Sequence, residues 1–323
     1  MGYKRTARSR GRTTTARLVR LPLDRGANTR PAAHSISWAG THDYHCGWPQ
    51  VLRLAGFLVV VLLVAFLLFA SRTAQAGAWT LPEGKGQAII TGTFLKADRY
   101  FDSRGQTIRG PDYRKFEVTA FIEYGLTDSL TAILSPSLLS TRVSGPEPAQ
   151  YTGLGYTEAG ARYRLFEHDG WIVSAQAIAG FPGPTNALNP AEVCCTDKYA
   201  DARILVGKSF RLGDWPTFVD AQAAYRLRSG AANDEIRFDL TLGVRPLPKW
   251  LFLAQSFNVL AMNALASGST LGLLSGTRYH KVQVGVVWDF ADDWSLQLAG
   301  VATIAGKSAP LEHGLVSGLW YRF

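Results

Sequence analysis

The sequence predicts an all-β protein: a closed antiparallel transmembrane β-barrel of about 12 strands, preceded by a signal peptide. Three observations predict it. From Gly86 onward the hydrophobic period is two rather than 3.6. Tight turns alternate with longer, more polar connectors, the rhythm of outer-membrane barrels. Ahead of all this stands an apolar run followed by a cleavage motif. Composition agrees, because 47% apolar and 18% charged residues exclude general disorder. The net charge of +9 is local: residues 1–76 hold 11 of the 34 Lys and Arg but 2 of the 25 Asp and Glu, leaving 23 of each sign in 77–323. A formally neutral body has no net field to gather a polyanion, so no nucleic-acid partner is expected.

Leu54 to Ala70 reads LAGFLVVVLLVAFLLFA, with Arg53 before it and Ala74-Gln75-Ala76 shortly after. A positive start, an apolar core and an A-x-A site describe a secretory signal over 51–76, cleaved after Ala76. The rival reading is an uncleaved anchor, since such a run is barely long enough to span. Residues 1–50 are rich in Arg, Thr and Ser and show no periodicity. They are read as a disordered basic leader and a start-site artefact, because Val51 is encodable by a GTG start codon and a start there gives a signal of ordinary length. The barrel itself is expected over 77–323.

The expected strands are 86–100, 113–124, 129–143, 153–166, 171–181, 199–211, 217–229, 235–245, 250–263, 278–290, 294–306 and 312–323. Gly125-Leu126-Thr127-Asp128, Glu167-His168-Asp169-Gly170, Leu212-Gly213-Asp214-Trp215-Pro216, Pro246-Leu247-Pro248-Lys249 and Ala291-Asp292-Asp293 have the Gly, Asp and Pro content of tight turns. Longer loops are expected near 101–112, 144–152, 182–198, 264–277 and 307–311, with a shorter one at 230–234. An even strand count puts both chain ends on the turn rim. Unpaired backbone groups in hydrocarbon cost several kcal/mol each, so 86–100 must close against 312–323.

Alternation assigns the faces. Phe116, Val118, Ala120, Ile122 and Tyr124 share one side of their strand, and Lys115, Glu117, Thr119 and Glu123 the other. Ile236, Phe238, Leu240, Leu242 and Val244 oppose Glu235, Arg237, Asp239, Thr241 and Arg245; Val282, Val284, Val286 and Trp288 oppose Lys281, Gln283 and Asp289. A soluble sandwich would also alternate, with its apolar face hidden. The signal, the loop rhythm and the aromatic strand ends favour the membrane. Tyr124, Trp171, Trp215, Trp250, Trp288, Trp294 and Trp320 crowd those ends, where headgroup boundaries favour indole and phenol rings. The terminal strand Leu319-Trp320-Tyr321-Arg322-Phe323 resembles the carboxy-terminal signal read by barrel-insertion machinery, and Tyr321 and Phe323 join the expected membrane interface.

The lumen lining expected from parity is Glu117, Glu123, Glu158, Arg162, Arg164, Asp201, Arg203, Asp220, Arg226, Arg228, Arg237, Asp239 and Lys281, with Arg211 at a strand end. An Arg or Lys facing lipid at mid-depth would cost roughly 2–4 kcal/mol. Lys208 falls outward near a turn, where its stem can snorkel. Two readings of the lining stand together. The charges line a water-filled pore, or they pair across strands and hold a filled barrel in shape.

Specific chemistry is sparse. Cys194 and Cys195 are adjacent in the longest loop; a vicinal disulfide, two independent thiols and an intermolecular bond are the alternatives. The separated Cys/His spacings of zinc sites are missing, so no metal is expected, and no cofactor. His168 reads as a solvated turn residue and His280 as an outward, interfacial one. No G-x-S-x-G, H-E-x-x-H, Walker or Rossmann spacing stands in a suitable context. The expectation is therefore not an enzyme, with an outer-membrane hydrolase as third reading.

Ala78-Trp79-Thr80-Leu81-Pro82-Glu83-Gly84-Lys85-Gly86-Gln87, Thr91-Gly92-Thr93 and Ala97-Asp98-Arg99 resemble the XagA-like proteobacterial proteins. Those are similar to the barrels named for the meta-pathway of phenol degradation, in which the step Tyr124-Gly125-Leu126-Thr127-Asp128 resembles a repeated strand-turn element. The resemblance implies a barrel in the outer membrane of a Gram-negative bacterium, in contact with its lipid. It further implies uptake of small, polar or aromatic solutes, or a role in surface polysaccharide and biofilm formation. The expected function is a passive channel, and the alternative a closed structural or adhesion barrel.

Overall fold

The computed structural model describes residues 77–145, 148–183, 197–230, 233–262 and 278–323. The leader over 1–50, the signal over 51–76 and the Cys194/Cys195 pair lie outside them. Every regular element among the described residues is a strand. In chain order these are β1 (Gly86–Phe101), β2 (Thr107–Thr127), β3 (Leu130–Ser144), β4 (Ala149–His168), β5 (Trp171–Pro182), β6 (Tyr199–Leu212) and β7 (Trp215–Arg228). There follow β8 (Glu235–Leu247), β9 (Trp250–Ala261), β10 (Arg278–Asp289), β11 (Trp294–Lys307), β12 (Ala309–Pro310) and β13 (His313–Arg322). The two-residue β12 pairs only with the end of β1, so the wall has twelve strands.

Each strand pairs antiparallel with its sequence neighbours, and the ring closes where β1 meets β13, from Gln87↔Arg322 to Lys96↔His313. Reciprocal bonds between the Gly86 and Phe323 backbones, 2.7 and 2.9 Å, seal the seam at the turn rim. No sheet edge is left, which is what a hydrocarbon surround demands of a backbone.

The turn rim is built from local chemistry. Asp169 and Gly170 both have positive φ (47° and 72°), the conformation of a type I′ hairpin that Asp-Gly favours. Thr127 accepts from the Ser129 and Leu130 amides through its hydroxyl and turns β2 into β3. Pro136, with no N–H for the ladder, sits at the register shift between Pro136 and Leu138.

Outward side chains are apolar and exposed, from Phe116 and Leu138 to Val284 and Leu315. Tyr124, Trp171, Trp215, Trp250, Trp288, Trp294, Tyr321 and Phe323 lie outward near the turn rim. Trp250 stacks on Trp288 (5.8 Å between centroids), and Trp294, Tyr321 and Phe323 form a second run at 4.5 and 5.6 Å.

Trp320 departs from that band. It lies between outward Leu319 and Tyr321, so parity turns it inward; it is buried, and its Nε1 donates to Gln297 Oε1 at 3.1 Å. Strand bounds near the loops also differ from expectation. β2 begins at Thr107 rather than 113, and β4 at Ala149 rather than 153. The ladder continues because the β1–β2 hairpin has its own packing there. Tyr100 is fully buried against Gly110, where a β-carbon would strike its ring, and its hydroxyl donates to the Pro111 carbonyl at 2.7 Å.

Candidate channel lumen

The inward face carries two ionic clusters separated by an apolar floor, with isolated ion pairs elsewhere around the ring. The first lies on the loop-proximal halves of β4, β6, β7 and β8. Arg226 reaches Asp201 at 3.1 Å and Glu158 at 3.8 Å; Arg203 reaches Asp239 at 2.9 Å and Asp201 at 3.3 Å; Arg228 reaches Glu235 at 2.6 Å. The Arg226 guanidinium lies 3.7 Å from the Tyr199 ring centroid, and the Tyr199 hydroxyl donates to Glu158. Register explains the central pair: Asp201↔Arg226 are direct cross-strand partners. Arg237 is the least engaged cation of this belt. Glu235 stands 3.9 Å away, and the buried Arg237 Nε has no hydrogen-bond partner. The belt holds four guanidinium groups (Arg203, Arg226, Arg228, Arg237) and four carboxylates (Glu158, Asp201, Glu235, Asp239), so it is formally neutral.

Other expected lining residues are distributed around the ring. Glu117 pairs with Lys115 at 3.0 Å and Lys281 with Glu312 at 2.5 Å, both apart from the belt. Glu123 meets Arg162 at 2.9 Å, an ion pair with both side chains 5% exposed. Arg164 sits at the turn rim with Glu167, and Arg211 donates to the Asp214 carbonyl at 2.6 Å beside its own turn. Lys208 lies over Trp171 and donates to the Asp169 carbonyl at 2.5 Å. His280 shares a 2.8 Å bond with Asn258 on the outward face.

Toward the turn rim the interior is apolar and filled. Phe218, Leu251, Leu253, Val287 and Trp320 form one cluster, and Ala78, Ile172 and Leu205 another; Trp79 packs against both. Below them a second ionic group joins Arg245 to Asp289 (2.6 Å) and Arg322 to Asp289 (3.6 Å) and Ser295 (3.0 Å).

Trp79 belongs to an unexpected feature. Residues 77–85 do not hang from the rim but enter the lumen as a strap. Ala78 N donates to Asp220 Oδ2 (2.7 Å), Ser174 Oγ to Ala78 O (2.6 Å), Arg162 Nη1 to Trp79 O (2.9 Å) and Leu81 N to Thr131 Oγ1 (2.9 Å). The Trp79 ring meets Phe218 edge-on at 5.7 Å, a geometry worth about 0.5–1.5 kcal/mol beyond burial. Gly207 makes room for it, since a β-carbon there would come within 2.7 Å of the indole. Asp220 thus faces the strap, with Gln222 as second donor at 2.6 Å, and forms no ion pair with Arg203 or its neighbours.

No protein-family model matches the chain, and no curated protein matches it. Solved structures do. The COG4313 outer membrane channel from Pseudomonas putida F1 is 17% identical with a TM-score of 0.59, over 78% of this chain and 100% of that one. The fold is that of an outer-membrane barrel. The NanC porin (9% identity, TM-score 0.47, 72% of this chain and 98% of that one) lies further off. So does the translocator domain of the autotransporter NalP from Neisseria meningitidis (12%, 0.46, 85% and 98%).

Within this barrel, sequence parity picks out charged positions but not the strap, nor the neutral residues that hold it. Ser174, Thr131 and Phe218 alternate like any other inward residue. One signal was available: Ala78-Trp79 are apolar, stand one residue beyond the A-x-A site, and precede the first strand. Apolar residues there have no reason to face water.

Proposed function

We propose that this protein is a passive outer-membrane channel for small solutes, with its turn rim in the periplasm and its loop rim outside. The observation that carries the reading is the inverted polarity of a closed ring: ion pairs and amides inside, exposed aliphatic and aromatic side chains outside. Such a surface is stable only where hydrocarbon surrounds it. The exposed aromatic band near the turns fits a headgroup boundary, and the fold likeness to an outer-membrane channel agrees. The XagA-like resemblance suggests polar or aromatic solutes. Inward Glu117, Glu158, Arg237 and Lys281 keep 20–30% of their side-chain surface, so water reaches the loop-proximal half.

A neutral belt gives weak ionic selectivity. Planar-bilayer recordings of the purified protein are expected to give stepwise conductance and a reversal potential near zero in a salt gradient. Arg237→Glu is expected to shift that potential toward cations. The second reading, a closed structural barrel, draws on the filled turn-proximal half. Silence at high protein load would decide for it.

A further inference from the structure

The strap begins at Gly77, the residue that follows Ala76 of the A-x-A motif. We infer that signal cleavage at this bond creates a Gly77 α-ammonium that pairs with Asp220 inside the lumen and latches the strap across the turn-rim mouth. The inference deepens the channel reading and rests on it for the export of the chain.

Asp220 is 1% exposed and lies on the inward face of β7. Its carboxylate accepts from the Ala78 amide at 2.7 Å and from Gln222 Nε2 at 2.6 Å, both neutral donors. Among the described residues it forms no ion pair with Lys, Arg or His, while the other deeply buried acids, Glu123, Asp201 and Glu312, each have an arginine or lysine at hydrogen-bonding distance. A buried carboxylate without a cation is a costly arrangement. Gly77 is the group beside it. A β-carbon built on Gly77 would overlap the Asp220 carboxyl carbon and both its oxygens. The site therefore favours glycine, and it places the first backbone of the mature chain against an anion that Arg162 and Arg203 attract from a distance without pairing with it.

Cleavage supplies the pairing cation. Hydrolysis by a signal peptidase breaks the Ala76 C–Gly77 N bond. Water gives its hydroxyl to the Ala76 carbonyl carbon and a proton to the Gly77 nitrogen. The new carboxylic acid loses a proton and the new amine gains one. An uncharged amide becomes an α-amine that is mostly ammonium at neutral pH. The latch is formed only in the processed chain. Ser174 and Arg162 then hold the next two carbonyls, and Trp79 fills the space between Phe218 and Gly207.

The test uses the exported protein, purified in detergent and folded by the heat-mobility criterion. Amino-terminal sequencing is expected to return Gly77-Ala78-Trp79; any other first residue overturns the inference. An amine-reactive ester at neutral pH, with modified peptides quantified by mass, is expected to label Gly77 at least tenfold more slowly in the native protein than in Asp220→Asn. Equal rates overturn the latch. Should Asp220→Asn fail to fold, a chain refolded with Ser-Ala ahead of Gly77 replaces it, because Asp220 stays intact while the charge is moved. Fast labelling of that extended terminus supports the latch, and slow labelling overturns it. Labelling needs no conduction. Slow Gly77 labelling in a protein silent in bilayers therefore removes the channel reading alone, and fast labelling in a conducting protein removes the latch alone.

Discussion

Arg162 shows what a single lumen residue does here. Its guanidinium meets Glu123 at 2.9 Å, Gln176 Oε1 at 3.0 Å and the Trp79 carbonyl at 2.9 Å, and its side chain is 5% exposed. Three partners from three parts of the chain converge on one cation, so its loss would strand a buried carboxylate as well as a strap carbonyl. Removing one member of a buried pair costs about 3–5 kcal/mol, mainly because the other charge stays behind. Arg162→Ala is therefore expected to lose about that much in urea unfolding of the detergent-solubilised barrel. Combining Arg162→Met with Glu123→Gln is expected to recover much of it. A single-mutant loss below about 1 kcal/mol would show that water, not the pair, solvates Glu123.

At the scale of the strand, parity is the controlling quantity. On β13, Leu315 points outward with 69% of its surface exposed, while its neighbour Val316 is buried inside. Leu315 pairs with Phe94 and Gly300, near the middle of β1 and β11. Leu315→Arg is expected to cost about 2–4 kcal/mol in lipid vesicles, the penalty of a cation at the bilayer midplane. Thr93→Arg, directly across from Val316 and facing inward, is expected to be tolerated and to alter conductance instead. If both replacements cost the same in lipid, the outward face does not meet hydrocarbon. Bulges qualify the parity rule: the register shift between Arg164 and Phe166 leaves Leu165 and Phe166 both exposed, which strict alternation does not anticipate.

At the scale of the whole molecule, closure is the event that makes the other features consistent. The seam joins the first strand to the last, and Phe323 lies on it, its backbone bonded to Gly86 and its ring stacked on Tyr321. The closing pair thus joins the two described strands farthest apart in sequence, and waits on β13. Deleting Phe323 is expected to lower the yield of heat-modifiable barrel in cells while leaving refolding into detergent largely intact. That difference would locate the residue's role in recognition by the insertion machinery. Equal losses in both settings would place it in barrel stability alone. The strap belongs to this scale too, since a mouth can be crossed only after the ring around it has formed.

The sequence by itself determined the class of fold, the near-complete strand list and the pairing of the two ends. Those properties follow from a local period of two and from the intolerance of hydrocarbon for unpaired backbone, and neither depends on knowing the neighbours. Only the tertiary structure decided that Asp201 answers Arg226, that Trp320 packs inward, and that Trp79 re-enters the ring to face Phe218. Each of those depends on register, on small bulges and on how much space a closed ring leaves at its centre, quantities set by contacts between residues far apart in the chain.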